Sequence, residues 1–425
     1  MRVLVLSQHY WPESFRINEV VYELRRAGCE VCVLTGQPNY PDGVVQAGYR
    51  AWGLGAETHP QGYTIYRVPL VPRGNGSARR LVANYLSFIA SASVLGPWVL
   101  RGQRFDVIFV YGTSPILQAV GAVVLKWVKK AALVTWVQDL WPQSLQVTGF
   151  VKNDRALAAV SVVVRWIYTR SDLLLAQSRA FVPAVAAMAG DTPVEYHPNP
   201  GESESESESE SISATAADRE PAPDLTLAPA FNVVFAGNLG KAQALDTVLA
   251  AAELLRDCED VVIVLVGSGA RADALKRQVA ERRLTNVRLP GRFPSRSMPG
   301  ILAQASALLV SLAKSPIMSQ TVPSKIQTYL AAGRPIVASL DGEGARVVTE
   351  AGAGVACAAE DAQALAEAIL SLRRLGDADR RAMGEAGRRY HQDHFDPARL
   401  AVRLHDRFVQ LRRVKAGHRT EDPST

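Results

Sequence analysis

Short β-branched runs alternate with longer helical stretches throughout both halves of the chain. The pattern predicts strands at residues 2–7, 30–35, 106–110, 132–137 and 173–177, and then at 232–237, 261–267, 286–290, 307–312 and 335–339. Helices are expected between them near 15–27, 80–101, 115–130, 152–170 and 179–189, and then near 243–256, 270–283, 297–304, 323–333, 343–351 and 361–374. This alternation is typical of parallel strands joined by crossover helices, so each half is predicted to be a doubly wound α/β domain.

A change in composition separates the two halves. From Glu202 to Ser211 glutamate and serine alternate, and a polar stretch continues to about residue 229. Such a segment cannot bury enough apolar surface to fold, so residues 201–229 are predicted to be a disordered linker or insertion. It divides a domain at 1–200 from one at 230–376, and residues 377–425 are expected to add C-terminal helices and a tail. Two such domains facing across a cleft would place ligand sites at the carboxyl ends of their strands.

Composition and charge exclude several classes of protein. Hydrophobic residues make up 48% and charged residues 21% of the chain, which is ordinary for a globular protein. The net charge of +6 could favour an anionic partner, but no nucleic-acid-binding module is recognisable, so nucleic acid is not an expected partner. Neither a disulfide nor a zinc site is expected, and Cys29 and Cys32 are predicted to share one face of a strand. The first apolar run is too short for a signal peptide, which predicts a cytoplasmic protein.

Residues 81–100 form an uncharged stretch between Arg79–Arg80 and Arg101. The length is the minimum for a membrane span, but Asn84, Gly96 and Pro97 make it a poor one. Two interpretations stay open: a buried crossover helix, or a segment in the membrane interface, where Trp98, Tyr85 and the flanking arginines would favour it.

A glycine-rich loop after the first strand of the second half is suited to an anion. It contains Gly237, Asn238, Gly240 and Lys241 and is expected to lead into a helix. Glycines let the backbone approach a phosphate, a helix N-terminus offers unpaired N–H groups, and the lysine adds a charge. The same pattern is also common in turns that only connect a strand to a helix.

A second predicted helix start lies later in the same half, at Ser324 and Lys325 after Pro323. Two anion-binding loops converging from one sheet suit a diphosphate better than a single phosphate. Gly267 and Arg292 follow the next two predicted strands and are candidates for holding the nucleoside, with tight turns as the alternative.

Together these segments carry a family resemblance. FAGNLGKAQALDTVL, VVIVLVGSGA, NVRLPGRFP and TVPSKIQTYLAAGRPIVAS, in this order, resemble the donor-binding domain of GT-B glycosyltransferases, in particular the retaining family 4. LSQHYWPESFRINEVVYELRRAGCEVCVLTGQPNYPDG and TWVQDLWPQSLQVTGF are similar to the branch that includes L-fucosamine, colanic-acid and O-antigen transferases. The resemblance implies a GT-B fold and transfer from a nucleotide-diphosphate sugar, UDP-linked and carrying an N-acetylated amino or deoxy sugar. It also implies that no metal ion or cofactor takes part. The acceptor is expected to be a sugar on a polyprenyl diphosphate, which would keep the enzyme peripheral on the inner face of the cell membrane.

The chain departs from the family pattern at three positions. Two glutamates that family 4 enzymes commonly carry are replaced by Gln320 and Thr328, so the ribose contact is assigned to the Thr328 hydroxyl or to another group. A histidine often found before the cleft aspartate is replaced by Gln138. A mechanism based on that histidine therefore does not carry over.

Candidate residues of the first half lie in two loops. His9, Glu13 and Arg16 follow the first strand, and Asp139 follows the fourth. With Lys241, the carboxylates of Asp139 and Glu13 are the predicted catalytic groups, while His9 and Arg16 are predicted to contact the acceptor. In the alternative interpretation His9 is a packed residue and Glu13 pairs with Arg16 within a helix.

Two rival functions remain. The first is an epimerase acting on UDP-N-acetylglucosamine, which shares this fold. The second is a non-catalytic carbohydrate-binding scaffold, suggested by the loss of both usual glutamates at Gln320 and Thr328.

Overall fold

The computed structural model describes residues 1–147, 151, 153–201 and 225–420. The chain divides into two compact units, one formed by Met1–Asn199 with Pro397–Thr425 and the other by Pro200–Asp396. The Glu/Ser-rich part of the predicted linker lies outside the described residues.

The first unit is built on an eight-stranded sheet in the order β3-β4-β2-β1-β5-β6-β7-β8. All neighbouring strands are parallel except the β3–β4 pair, which is antiparallel. The strands are β1 Arg2–Leu6, β2 Glu30–Thr35, β3 Gly55–Thr58, β4 Thr64–Arg67, β5 Val107–Gly112, β6 Ala132–Val137, β7 Leu173–Ala176 and β8 Val194–Tyr196. The five predicted strands are all present. The sequence pattern missed β3, β4 and β8, which are short and lie toward the two edges of the sheet.

Within the described part of residues 1–199, seven helices follow or connect these strands. They are α1 Ile17–Arg26, α2 Ala78–Val94, α3 Gly96–Val99, α4 Ala119–Lys129, α5 Gln143–Val147, α6 Asp154–Arg170 and α7 Phe181–Ala189. One apolar core, under α2, α4, α6 and α7, contains Phe88, Leu125 and Ile167. The other core, on the opposite face of the sheet, contains Ile17 and Val20 of α1.

The prediction for the two nearby cysteines was wrong. Cys32 belongs to the core under α2 and α4, whereas Cys29 belongs to the core under α1. Side chains alternate between the faces of a strand, so residues an odd number apart point to opposite sides. Both thiols are free and buried.

The second unit contains a fully parallel six-stranded sheet in the order β11-β10-β9-β12-β13-β14. The strands are β9 Phe231–Ala236, β10 Val261–Val266, β11 Val287–Gly291, β12 Ala307–Ser311, β13 Ile336–Ser339 and β14 Gly354–Cys357. The helices are α8 Leu245–Leu254, α9 Ala272–Glu281, α10 Met298–Ala303, α11 Ser324–Ala332, α12 Glu343–Glu350, α13 Ala362–Arg374 and α14 Asp377–His394. Only the edge strand β14 was missed by the pattern.

The last helix, α15 Pro397–Thr420, belongs to the first unit, whereas α14 belongs to the second. Leu404 and Phe408 of α15 are buried in the core under α1. The Phe408 ring lies 5.5 Å from that of Phe109, and Lys415 Nζ donates to the Ala131 carbonyl at 2.9 Å. Burial of these apolar side chains accounts for the return of the chain to its first unit.

The uncharged stretch from Leu81 to Leu100 forms most of α2 and all of α3. One side of α2 is buried, including Asn84 and Phe88, as expected for a crossover helix. The other side exposes large apolar side chains. Among the described residues, no helix is both long enough and apolar enough to cross a membrane.

Candidate functional site

Each sheet has one position where the strand order reverses direction. In the first sheet β1 lies between β2 and β5, and in the second β9 lies between β10 and β12. Loops at the carboxyl ends of such strands form the usual ligand-binding edge of a doubly wound domain. The candidates after β1 and after β9 lie at these two edges.

In the second unit, the loop after β9 is held against the loop after β10. Gly237 N–H donates to the Val266 carbonyl at 2.9 Å, and Leu239 N–H donates to the Ser268 carbonyl at 2.8 Å. Gly267 has a φ of +142°, and a Cβ there would lie 1.9 Å from the Gly237 carbonyl oxygen. Glycine is therefore required at 267 for both backbone conformation and space.

The Asn238 side chain packs between two glycines of these loops. A Cβ at Gly269 would lie 2.4 Å from Asn238 Oδ1, and one at Gly240 would lie 3.0 Å from its Nδ2. Asn238 itself is exposed. The Asn238 amide therefore lies at the surface, on a loop whose backbone is held by its hydrogen bonds to the loop after β10.

Lys325, in the first turn of α11, lies directly against the loop after β9. A Cβ at Gly237 would be 2.5 Å from Lys325 Cε and 2.8 Å from Nζ, and Nζ lies 5.1 Å from the centre of the Phe235 ring. Tyr329, one turn later, accepts a hydrogen bond from Ala236 N–H at 2.9 Å, which ties α11 to the end of β9. The structure thus brings together the two predicted anion-binding elements. Tyr329 was not predicted, because its partner lies 93 residues away.

The start of α11 presents a second polar group. Ser324 is exposed and is the first residue of the helix, after Pro323. Thr328 lies one turn further on the same side, but its hydroxyl donates to the Ser324 carbonyl at 3.3 Å. Gln320 lies in the preceding 3₁₀ turn, where its side-chain amide donates to the Pro316 carbonyl at 3.1 Å. A contact between Thr328 and the ribose stays a prediction. It would require the Thr328 hydroxyl to give up its hydrogen bond to the Ser324 carbonyl, or to accept a second hydrogen bond from the ribose.

Lys241 and Arg292 occupy the two outer positions of this edge. Lys241 lies in a 3₁₀ turn, Lys241–Gln243, and the expected helix follows it, beginning at Leu245. Arg292 follows the edge strand β11. Both side chains are exposed, and neither makes a hydrogen bond or ion pair within the described residues. Three cationic side chains therefore belong to this edge, and cations with backbone N–H groups are what a diphosphate requires.

In the first unit, His9 and Glu13 form a buried pair after β1. His9 Nδ1 and Glu13 Oε2 are 3.0 Å apart, and the two side chains are 5% and 1% exposed. His9 Nε2 has no hydrogen-bond partner among the described residues. The ring packs against Phe15 at 5.1 Å and the edge of Tyr40 at 5.9 Å. If Nδ1 carries the proton, the carboxylate fixes the tautomer and Nε2 keeps a lone pair.

The other Glu13 oxygen binds the loop after β2. Oε1 accepts hydrogen bonds from the backbone N–H groups of Asn39 and Tyr40, both at 2.7 Å. Glu13 lies before α1, which begins at Ile17, so the alternative of an ion pair with Arg16 within a helix was wrong. The carboxylate thus joins His9 to the loop that carries Tyr40, and its geometry is that of a positioning group.

Arg16 lies beside the end of β5. Burial raises the pKa of Tyr111 to about 12, while the nearby positive charge of Arg16 lowers it and Glu19 raises it. Arg16 is therefore close to the position where the strand order reverses between β1 and β5. Its predicted contact with an acceptor stays a prediction.

A buried amide network that the sequence analysis missed supports the same edge. Gln8 N–H donates to Gln118 Oε1 at 2.7 Å, and Gln8 Nε2 donates to Asn84 Oδ1 at 2.6 Å. Asn84, the residue that made residues 81–100 a poor membrane span, thus fastens α2 to the loop after β1. No local pattern signals a pair separated by 76 residues.

Asp139 lies just after β6, half-buried. Burial raises its pKa above the usual aspartate value, against hydrogen bonds from Ser144, Trp141, the Leu140 backbone and Ser114, which lower it. The catalytic role assigned to Asp139 stays a prediction. The preceding Gln138 has a buried side-chain Nε2 without a partner among the described residues.

A cavity of about 260 Å³ lies at the opposite end of the second sheet. It is lined by Ser306, Arg334 and Pro335, just before β12 and β13, and by Arg380 and Arg381 of α14. This is the amino end of the strands, away from the Gly237 loop. Within the described residues, no group of three or more His, Cys, Asp or Glu side chains could hold a metal ion.

Two family models match the chain. The model for group 1 glycosyl transferases matches residues 230–374, and the model for the glycosyl transferase 4-like domain matches residues 14–200. The chain is a glycosyltransferase composed of these two domains, consistent with a member of family 4. It is therefore a transferase that acts on a nucleotide sugar, and the epimerase alternative has no support from these matches.

Two relatives are transferases of bacteria. A probable glycosyltransferase, WbjE of Pseudomonas aeruginosa, is 26% identical over 308 residues, which cover 70% of this chain and 73% of WbjE. A putative colanic acid biosynthesis glycosyl transferase, WcaI of Escherichia coli K12, is 27% identical over 347 residues, covering 78% and 82% of the two chains.

Solved structures confirm the predicted GT-B fold. HepE of Anabaena, solved in complex with UDP, superposes with a TM-score of 0.65 at 15% identity, covering 96% of this chain and 100% of HepE. An Escherichia coli structure described as trehalose-6-phosphate bound with UDP-2-fluoro glucose superposes with a TM-score of 0.68 at 13% identity, covering 96% and 99%. At these identities the likeness concerns the fold alone.

Proposed function

We propose that this glycosyltransferase moves a sugar from a UDP-linked donor to a polysaccharide precursor carried on a polyprenyl diphosphate, at a membrane surface. The observation that carries the donor half is the contact between Lys325 and Gly237, where two anion-binding elements meet at the edge of the second sheet. Negative charge grows on the departing nucleoside diphosphate, and preorganised cations and backbone N–H groups stabilise it as it develops. Lys241 and Arg292 supply further charge nearby. The UDP complex of HepE supports UDP as the nucleotide.

Binding of UDP to the full chain tests the donor half. Titration calorimetry is expected to show one site per chain, with affinity reduced by roughly tenfold or more in Lys325→Ala because a charge-assisted hydrogen bond is lost. Arg277→Ala, an exposed arginine on α9, is the matched control and should bind UDP normally. Normal UDP affinity in Lys325→Ala would remove α11 from the donor site.

Retention of anomeric configuration is part of the proposal. The family resemblance supports it, with attack on the same face of the donor sugar as the departing diphosphate. Proton NMR of the first product formed will distinguish the outcomes, since the anomeric coupling of the new linkage matches that of the donor under retention and is reversed under inversion.

The acceptor half rests on an exposed apolar surface, here called the outer helical face. Helices α2, α4 and α6 pack side by side on one face of the first sheet. Their outward sides and that of α3 expose eight large apolar side chains: Val82, Leu86, Val94, Trp98, Trp127, Val128, Val162 and Val163. An apolar surface of this kind marks a contact with a membrane or a partner.

The charges around the outer helical face favour an anionic membrane. Helices α2, α4 and α6 contain a single acidic residue, Asp154, against seven basic ones: Arg79, Arg80, Lys126, Lys129, Arg155, Arg165 and Arg170. Arg101 adds a further charge, over the Trp98 ring at 5.6 Å. Exposed apolar side chains on helices that also carry an excess of basic residues suit the interface of anionic lipids.

Sedimentation with vesicles tests this surface. The full chain is expected to bind vesicles of equal parts phosphatidylglycerol and phosphatidylcholine, and binding should weaken with salt and in the double variant Trp98→Ser, Leu86→Ser. Leu254→Ser is a matched control, because Leu254 on α8 is 53% exposed and Leu86 is 57% exposed. Absence of vesicle binding at low salt would contradict the membrane part of the proposal and leave the acceptor water-soluble.

A further inference from the structure

Two arginines lie between the buried His9 ring and the outer helical face. The Arg73 guanidinium lies over the ring of Tyr40, with Cζ 5.2 Å from the ring centre, and the same ring contacts His9. Arg73 also lies close enough to Tyr85 of α2 for its charge to lower the pKa of that hydroxyl, which burial raises. Arg73 therefore connects the loop after β2 with α2.

Arg80 lies beside it, in the first turn of α2. A Cβ at Gly74 would lie 3.6 to 3.7 Å from the Arg80 side chain, so Arg80 packs along the residue that follows Arg73. The segment itself is fixed, since Arg73 N–H donates to Asn39 Oδ1 at 3.1 Å and Gly74 N–H donates to the Gly43 carbonyl at 2.8 Å.

Neither guanidinium is neutralised. Across the described residues, the side chains of Arg73 and Arg80 make no hydrogen bond or ion pair, although Asp42 belongs to the neighbouring loop. Two guanidinium groups offer ten N–H donors in a geometry that matches phosphate oxygens. A buried ring nitrogen beside Tyr40, His9 Nε2, also has no hydrogen-bond partner in the part of the chain that the structure describes.

We propose that Arg73 and Arg80 bind the diphosphate of the lipid-linked acceptor. This inference rests on the proposed function. It follows from the order of the surfaces: His9 and Tyr40 on one side, then the two arginines, and then the exposed Val82 and Leu86 of α2 on the other. The acceptor has the same order, with a polar saccharide, a dianionic link and an apolar chain. The arginines are thus specificity-determining residues that select an acceptor carrying a diphosphate.

Acceptor kinetics with two carriers test the proposal. The same saccharide is supplied either on a short-chain polyprenyl diphosphate or as a neutral alkyl glycoside, with purified full-length protein and saturating donor. Arg73→Gln and Arg80→Gln are each expected to raise the KM for the diphosphate acceptor by roughly tenfold or more, as loss of a charge-assisted bond predicts. The donor KM, kcat and the rate with the neutral glycoside should stay within about twofold of wild type.

Two controls separate this effect from loss of charge or fold. Arg104→Gln removes the same charge from an exposed side chain just before β5, at the amino end of the strands, and should leave the acceptor KM unchanged. Arg73→Lys keeps the charge but not the fork of donors, so its KM should be intermediate. Melting temperatures near that of wild type confirm that the variants are folded.

Three results would overturn the inference. A KM shift no larger than that of Arg104→Gln would show that the arginines do not contact the acceptor. Equal losses with both carriers, in proportion to weaker binding of phosphatidylglycerol vesicles, would assign the arginines to phospholipid headgroups instead. Wild-type transfer to the neutral glycoside but not to any diphosphate carrier would contradict the proposed function itself, and this inference with it.

Discussion

A methyl group at position 237 tests whether the loop after β9 and Lys325 act together on the donor. Gly237 has a φ of +139°, and a Cβ there would lie 2.5 Å from Lys325 Cε and 2.8 Å from Nζ. Non-bonded carbon atoms pack at about 3.5–4.0 Å, so the end of the lysine must move by about 1 Å or more in Gly237→Ala. The ammonium group would then leave the place where the two anion-binding elements meet.

The size of the effect follows from this displacement. A hydrogen bond to a charged group contributes about 1.5–3 kcal/mol, so UDP affinity should fall by about 10- to 150-fold. The strained φ adds about 1–3 kcal/mol to the cost of folding, which is small beside the roughly 5–15 kcal/mol that stabilises a typical protein. The variant should therefore fold and bind its donor weakly.

Calorimetric titration with UDP checks this prediction against Gly352→Ala. Gly352 belongs to the same unit and also has a positive φ, of +58°, but a Cβ there would meet no atom within 4 Å. It adds a methyl group at a positive φ, in the milder left-handed helical region, without displacing a side chain, so its UDP affinity should equal that of wild type. Wild-type affinity in Gly237→Ala would refute the reasoning, and equal losses in both variants would assign the effect to strain.

Three further outcomes are expected. Lys241→Ala should lose most transfer activity at an unchanged melting temperature, because the exposed side chain has no partner in the described structure; unchanged turnover with normal donor affinity would remove it from the site. Glu13→Ala should lower the melting temperature by about 6–12 °C, because two backbone N–H groups and His9 lose their hydrogen-bond partner at a cost of about 3 kcal/mol or more. Scanning fluorimetry measures this shift, and a shift below about 2 °C would contradict the prediction. Burial lowers the pKa of His197 to about 3, so its contribution to stability is complete above pH 6.5 and falls by about 1.4 kcal/mol per pH unit between pH 6.5 and about 3. Denaturant titrations in that range should show a shallower pH slope in His197→Phe, and an identical slope would exclude His197 as a cause.

The sequence predicted the central strands well and the edges poorly. Buried runs such as VVIVLV of β10 can be recognised from composition, because both faces of a parallel strand are covered by helices and consecutive residues are apolar. The strand β3, with the sequence GAET, is largely exposed and carries no such signal. The local sequence could not predict the return of α15 to the first unit, because Phe408 packs against Phe109, which is distant along the chain.

The same limit applies to the candidate site. Gly237 and Lys325 could be predicted from loop chemistry, because glycine and lysine next to helix starts are the residues an anion requires. The role of Glu13 could not, since its partners Asn39 and Tyr40 lie 26 and 27 residues away and bind through their backbone. Almost any residue type can donate from its backbone N–H, so the sequence does not show which residues make such a long-range hydrogen bond.

Transfer itself tests the central claim most directly. Purified chain is incubated with a panel of UDP-sugars and a short-chain polyprenyl-diphosphate saccharide, and the products are followed by mass spectrometry. The account predicts that one donor yields UDP together with an acceptor heavier by one sugar residue, and that Lys325→Ala forms this product far more slowly. Two results would contradict it: an isomerised nucleotide sugar with an unchanged acceptor, or a protein that binds UDP but forms no product from any donor in the panel.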